Sequence, residues 1–451
     1  MPKSYATTRK MNVCIIINIK NTVFSISLHF LVDNGIILTN KFMEVIFMKR
    51  FLCLVLCLAM MPIVFSVSAQ SVTLNFSIWD KNQQPGMEAI AAAYTEKNPD
   101  VTVNVQVTPW SEYWTKLQAA AAGGALPDVF WMHSNQFYVY AEAGTMLDLT
   151  DLNIDYSPYP EGITAMYQYE GAQYAVPKDY DTIALAYNKE IFDNAGVAYP
   201  DDTWTWDILL ENAKKLTDKE KGIYGYGAPI HDQSGFLNFI YQNEGYEFKD
   251  GKSGYDLPET REALQFYIDF ALKHEVSPTP QSFADVSADD QFKAGRLAML
   301  NVGTWMMSDY TVYDGIKDKF DLAVLPQGKV RASIYNGLGY AGASTTKYPE
   351  QVKDFIKFCG SEEANIIQAE HKAAIPAYAG TEKYFVAQFP NINIGAYPEM
   401  ISYGVPFPFS QRKSLWINTE YENLGAVYSG EFTLEEACDR MHQTITEVEA
   451  E

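Results

Sequence analysis

Three strand-like segments separated by two helical ones, all within residues 72–132, constrain this chain more than any other feature. Val72-Thr-Leu-Asn-Phe-Ser-Ile-Trp79 alternates apolar and polar residues and is rich in β-formers. Gly86 to Asn98 sets Met87, Ile90, Ala91 and Tyr94 on one helical face and is stopped by Pro99. Val101 to Val107 alternates strictly, a helix is expected over about Ser111–Ala122, and Pro127-Asp-Val-Phe-Trp-Met132 reads as a short buried strand. Strand, helix, strand, helix, strand at this spacing predicts a parallel sheet covered by helices.

A second series begins at Ile183–Tyr187. Helices are expected over Trp206–Thr217, Pro258–Lys273 and Asp285–Ala294, with a strand at Leu297–Asn301 and strand-like stretches at Asp321–Leu325 and Ile334–Ala343. Long helices are expected over Pro349–Gln368 and Leu434–Glu449. No repeat and no low-complexity linker interrupts the series. The fold class expected is α/β, in two lobes without a flexible tether.

Charge divides the chain unevenly. Residues 1–69 carry seven basic and two acidic side chains; the whole chain of 451 carries 34 and 56. Subtracting the first from the second leaves 27 basic against 54 acidic over 382 residues, a net −27. A body that acidic repels polyanions, so no nucleic-acid partner and no anionic membrane surface is expected.

The basic end reads as an address. Met48-Lys49-Arg50 precedes Phe51–Val67, 17 residues without a charge, and Val67-Ser68-Ala69 supplies small residues before Gln70. That is the layout of a cleavable secretory signal, with translation expected to start at Met48 and cleavage after Ala69. Residue 56 before Cys57 is a leucine where a lipobox needs a small residue, so lipidation is not expected. Cleavage leaves Cys359 and Cys438, one possible pair and no disulfide framework.

The enzyme motifs do not hold. None of the six histidines, His29, His133, His231, His274, His371 and His442, has a second at metal-ligand spacing, so no metal and no cofactor is expected. Gly245…Gly251-Lys252-Ser253 has one residue too many for a P-loop, and Asp250-Gly251 suits a hairpin turn better. Gly337-Leu-Gly339-Tyr-Ala-Gly342 satisfies G-x-G-x-x-G, but no helix opens at the third glycine, as a dinucleotide site requires. Asp179 and Asp181 alone are weak grounds for glycosidase chemistry.

Aromatic residues at strand ends are the positive signal. All eight tryptophans follow Ala69; Trp79 ends the first strand, Trp131 the third, and Trp305 follows the Met299–Gly303 strand. Ligand crevices of open α/β sheets lie at the carboxyl ends of strands. A flat apolar ring beside carboxylates, amides and a histidine suits a sugar: the ring covers C–H groups while charged acceptors take hydroxyl hydrogens.

The chain also resembles a known family over about residues 70–449. It resembles the extracellular solute-binding proteins of family 1, the sugar-binding subunits of ABC importers that include maltose-binding proteins. The marks are Pro127-Asp128-Val129-Phe130-Trp131-Met132, Tyr138…Gly144 with Leu147-Asp-Leu149, Ala186-Tyr187-Asn188-Lys189…Gly196, Asp202-Thr-Trp204 and Phe292-Lys-Ala-Gly295…Gly303-Thr-Trp305.

The resemblance implies a type II periplasmic-binding-protein clamp, two lobes closing on a ligand, each a mixed or parallel sheet covered by helices. It implies lobe 1 over 70–178 and 333–378, and lobe 2 over 179–332 and 379–451, with Cys359 and Cys438 in different lobes and unpaired. By position it implies ligand contacts at Trp79, Asp80, His133, Ser134, Asn135, Asp181, His231, Asp232, Trp305, Asn336, Gly337 and Trp416. The structural alternatives are that His133 caps the neighbouring helix and that Trp131 is a wall. Ser134-Asn135 stand where maltose-binding members carry charged residues, which leaves the sugar open. The function expected is a monomeric periplasmic or cell-surface receptor that delivers a sugar or oligosaccharide to an ABC permease. The alternatives are a secreted carbohydrate-active enzyme, or the same fold binding a polyol or other neutral solute.

Overall fold

The computed structural model describes residues 71–451, together with two short strands, Ile15–Ile17 and Ile26–Leu28, that pair antiparallel. The expected signal segment, Met48–Ala69, lies outside the described residues. The body from Ala69 onward forms one compact unit. Its strands run, in chain order, β1 (Val72–Ile78), β2 (Val101–Val107), β3 (Val129–His133), β4 (Ala175–Pro177), β5 (Ile183–Asn188), β6 (Met299–Gly303), β7 (Phe320–Ala323), β8 (Ser333–Tyr335), β9 (Leu338–Gly342) and β10 (Gly404–Pro406).

The first sheet has five strands in the order β2-β1-β3-β9-β4. Strand β1 is parallel to both β2 and β3, as the alternating pattern requires, and β9 returns antiparallel between β3 and β4. Leu74, Phe76 and Ile78 are fully buried by their alternation on one face of β1. They meet helix α1 (Gln84–Lys97), which presents Met87, Ile90, Ala91 and Tyr94, and helix α8 (Pro349–Cys359), where Phe355 sits edge-on to Phe76 at 5.8 Å. Each such ring contributes about 1.5–3 kcal/mol by leaving water.

The second sheet has three strands, β6-β5-β7, and every pairing in it is antiparallel. Strand β5, Ile183–Asn188, is the central strand of this sheet and is buried at every position.

Three expected elements are split. The strand over Ile334–Ala343 breaks into β8 and β9 at Asn336-Gly337, and β8 pairs in parallel with β10 rather than joining β9. The helix over Pro349–Gln368 breaks after Cys359, because Ser361 caps a new helix, α9 (Glu362–Glu370), through its contact with the Ala364 amide at 3.2 Å. The helix over Asp285–Ala294 is two, α6 (Pro280–Asp285) and α7 (Ala288–Lys293), because Val286 is extended and Ser287 caps α7. Helix α10 (Lys413–Ser429) was not expected, and α11 (Leu434–Ala450) follows with a capping box at Thr433 and Glu436.

Asp250-Gly251 forms the hairpin turn, both residues at positive φ, between Phe248–Lys249 and Lys252–Ser253. The G-x-G-x-x-G glycines serve packing. A Cβ on Gly337 would lie 2.3 Å from the Asp179 carbonyl oxygen, and one on Gly342 would lie 2.8 Å from Val352. Cys359 and Cys438 are buried and free, and they sit in separate hydrophobic clusters.

Candidate functional site

The first group of candidate residues is built at the end of β3. His133 is the N-cap of helix α3 (Ser134–Glu142), and the Asn135 amide donates to its Nδ1 at 3.2 Å. Since Nδ1 accepts, the proton of a neutral ring sits on Nε2, which lies 3.0 Å from the Asn336 side-chain amide. Ser134 Oγ lies 3.0 Å from the other arm of that amide. Turning the Asn336 oxygen toward His133 and its NH2 toward Ser134 satisfies all three groups. Burial lowers His133 to about 4, against the pull of Asp232 and Asp179, so the ring is neutral at pH 7.

Asn336 also exchanges backbone hydrogen bonds with Asp181 at 2.9 and 3.1 Å. The Asp181 carboxyl accepts from Gln233 Nε2. Burial, reinforced by the negative Asp179 nearby, pushes Asp181 well above the usual carboxylate range. Gln233 lies in a wide π-type turn, Asp232–Phe236, entered from His231. His133, Ser134, Asn336, Asp181, Gln233, Asp232 and His231 therefore form one continuous set.

Next to this set opens a cavity of about 410 Å³. Its floor is Leu300–Gly303 of β6, and its walls are Pro229–His231, α6 with the start of α7, and Trp305. Trp305 is half-buried and folds back over Gly303, where a Cβ would lie 1.9 Å from the indole. Asn301 is 7 % exposed, lines the cavity and has no partner for Oδ1. Neighbouring Thr304 Oγ1 is likewise buried and unpartnered. Asp289 accepts from the Tyr310 hydroxyl at 2.5 Å, and burial raises its pKa. His231 is 45 % exposed; burial is outweighed by Asp232, 3.3 Å from its Nδ1, and by Asp289, so its pKa rises. Unpartnered acceptors beside an aromatic face, with no Lys or Arg in the lining, suit a neutral polyhydroxyl ligand.

The other candidates stand differently. Trp79 packs edge-on against Trp110, Tyr113 and Trp131 at 5.0–5.2 Å, and Trp110 leads from that cluster to His133 at 5.6 Å. Asp80 holds its own turn through the Asn82 amide and Gln83 Nε2 at 2.8 and 2.9 Å. Asn135 Oδ1 is buried without a partner. Gly337 faces the Asp179 backbone, and its carbonyl accepts from the Tyr167 hydroxyl at 2.6 Å. Trp416 is 1 % exposed and its Nε1 donates to Glu449 at 2.6 Å, so it packs inside α10 and presents no face to the cavity. Trp131 is fully buried under Lys178, whose Nζ lies 4.5 Å from the ring centre. Asp179 uses both oxygens structurally, for Lys178 and for the Leu338 amide. Trp110 is 49 % exposed.

The sequence reading missed Gln233, Asp289, Asn301 and Thr304. Asn301 had a signal: it is the polar residue in an otherwise apolar strand, Leu297 to Val302. Asp289 had none, because Asp289-Asp290 behind Ser287 reads as the ordinary acidic first turn of a capped helix.

Known proteins resemble this chain in sequence and in fold. The sequence profile of the bacterial extracellular solute-binding proteins matches residues 80–366. An ABC substrate-binding protein from Listeria monocytogenes, solved in complex with cycloalternan, superposes with a TM-score of 0.78 at 26 % identity, covering 84 % of this chain and 98 % of that one. A maltotriose-binding protein of Pyrococcus abyssi is 30 % identical over 260 residues, 55 % of this chain and 53 % of its own. An arabinooligosaccharide-binding protein of Halalkalibacterium halodurans is 25 % identical over 296 residues, 62 % of this chain and 65 % of its own. The fold is the type II periplasmic-binding-protein fold that the sequence led us to expect. The chain belongs to the bacterial extracellular solute-binding proteins.

Proposed function

We propose that this protein is a receptor that binds a sugar or short oligosaccharide in the cavity beside Trp305 and delivers it to the permease of an ABC importer. The observation that carries the reading is the cavity itself. An indole face lies beside Asn301 Oδ1, buried and unpartnered, with Asp289 and His231 at the rim. A hydroxyl donating to Asn301 would remove the cost of that orphaned acceptor, about 1–3 kcal/mol. The names of the relatives, which bind maltotriose and arabinooligosaccharides, support a carbohydrate.

In this reading the two sheets belong to two jaws, and the chain crosses between them at Asp179–Asp181 and at Asn336-Gly337. Ligand bound in the closed form shifts the population toward it, and the permease reads the closed shape. Isothermal titration against a panel of mono- and oligosaccharides is the test; a folded protein that binds none of them overturns the proposal. Binding of polyols alone would keep the receptor and change its ligand.

The receptor does no chemistry. Asp179 is committed through both oxygens to Lys178 and the Leu338 amide, so it is not free to complete a glycosidase pair with Asp181. Glycan turnover abolished by Asp181→Asn would replace the receptor with an enzyme. We read the protein as an exported monomer. N-terminal sequencing of secreted material should begin at Gln70, and light scattering should give one chain.

A further inference from the structure

Behind the His231–Asp232 turn lies a group of ionisable side chains that the cavity does not use. Lys413, Glu247 and Glu420 are 2, 0 and 0 % exposed. Lys413 and Glu420 stand two turns apart on one face of α10, and Glu247 precedes the Phe248–Ser253 hairpin. Lys413 Nζ donates to Glu247 Oε2 at 2.5 Å and to the Pro408 carbonyl at 3.1 Å, and it lies 4.3 Å over the Phe407 ring. The Tyr255 hydroxyl donates to Glu420 Oε1 at 2.5 Å. The remaining oxygens, Glu247 Oε1 and Glu420 Oε2, are buried and have no donor.

Two neighbouring buried carboxylates, each with a bare oxygen, cannot both stay ionised out of water. One proton between them supplies the missing donor. Burial raises both carboxyls; Glu420 is held up further by the charge of Glu247, whereas Lys413 opposes the rise of Glu247 more than Asp232 adds to it. With one proton the ledger balances: Lys413 against one carboxylate, and His231 against Asp232. The neighbouring titratable groups are Asp232, Tyr241, Tyr255 and Tyr421, with Cys438 of α11 beyond Tyr255; Lys413 is the cation in direct contact, and Arg261 reaches the Tyr255 carbonyl.

This cluster reaches the cavity by two routes. Lys413 helps hold Asp232 below the usual carboxylate range, although His231 contributes more and burial opposes both. Through Pro408 and Phe407 it also fixes the segment whose Phe407 ring lies 6.4 Å from His133. We propose that Lys413 is a positioning residue for the ligand cavity, tying the Asp232 turn and the Phe407–Ser410 segment to α10 only while Glu247 and Glu420 share one proton. The proposal rests on the reading of that cavity as the ligand site, and it makes the site responsive to alkaline pH.

The test needs no sugar, so its failure and that of the carbohydrate reading are separate. Both folded carboxyls lie above the ordinary 4.5, so their contribution is full below that value and is lost as pH rises through the folded values. One retained proton steepens the rise of the unfolding constant by about tenfold per pH unit. Denaturant unfolding from pH 5 to 8 should show that extra slope in the wild type and lose it in Glu420→Gln; equal slopes overturn the shared proton. The His231 imidazole, followed by NMR, should show a second inflection where the pair ionises, absent in Glu420→Gln. A variant that loses the stability slope but keeps the wild-type His231 curve leaves a merely structural ion cluster and overturns the positioning role. Should Glu420→Gln not fold, Glu247→Gln makes the same two comparisons.

Discussion

The two groups of residues that meet at the site differ in how they are satisfied. On the β3 side, His133, Ser134 and Asn336 complete one another's hydrogen bonds, and Trp79 is enclosed by other aromatic rings. On the β6 side, Asn301 and Thr304 keep buried polar atoms without partners, and Trp305 stands at the cavity wall. A buried polar atom left bare is a standing cost, which a ligand removes when it binds. On the proposed reading the ligand's hydrogen bonds fall to Asn301, which lines the cavity, while the β3 side, which keeps one bare atom of its own at Asn135 Oδ1, stands behind that lining as a largely self-satisfied support.

That division is tested most severely at Trp305. Trp305→Ala removes the indole face and should weaken binding of the cognate sugar by about 100-fold, the scale of an aromatic hot spot. Gly303→Ala should approach the same loss, because its Cβ would occupy the space the indole now fills. Titration calorimetry reads both, and affinities within threefold of the wild type would put the sugar elsewhere.

Asn301→Ala and Ser134→Ala break the comparison from opposite sides. Losing the Asn301 acceptor should cost about tenfold in affinity and almost nothing in stability, since no intramolecular bond is given up. Losing the Ser134 hydroxyl should cost about 1 kcal/mol of stability by stranding one arm of the Asn336 amide, with little change in affinity. Denaturant unfolding beside calorimetry separates the two. If Ser134→Ala is the variant that loses affinity, the roles of the two sides are reversed.

How far the sequence revealed all this depends on which residues form an element's inner face. Strands β1, β2 and β3 were legible because their buried positions are apolar and alternate or run together. The break at Asn336-Gly337 was hidden inside an apparently continuous strand, because what breaks it is pairing with Asp181 from a distant segment. Helix α10 was invisible for a different reason. Its buried positions are Lys413, Trp416, Glu420, Asn423, Leu424 and Val427, which follow a helical period but mix charge, amide and apolar groups. Periodicity of hydrophobicity cannot find a face whose partners are ionic. Trp416, which the family resemblance assigned to the ligand, is buried by that helix beside Glu449. Of the three strand-end tryptophans only Trp305 lines the cavity; Asp289 and Thr304 were set by two helix restarts that leave no distinct mark in the chain.

The smallest effect, and the finest probe of the two sides, is the opposite titration of two histidines. Burial lowers His133 to about 4, so its contribution to stability is present above the ordinary 6.5 and is lost as pH falls toward 4. For His231 burial also acts downward, but Asp232 and Asp289 overcome it and the pKa is raised. Its contribution is present below 6.5 and lost as pH rises through the raised value. In an NMR titration His231 should therefore change above pH 6.5 while His133 stays neutral to below pH 5. Asp232→Asn sharpens the contrast, because Asp232 supports the charged form of both rings. His231 should drop below 6.5, having lost the hydrogen bond and the charge that outweigh its burial, and His133 should drop by less, having lost only a distant charge. A variant in which His231 moves and His133 does not would mean that the β3 and β6 sides do not share a field across the cleft.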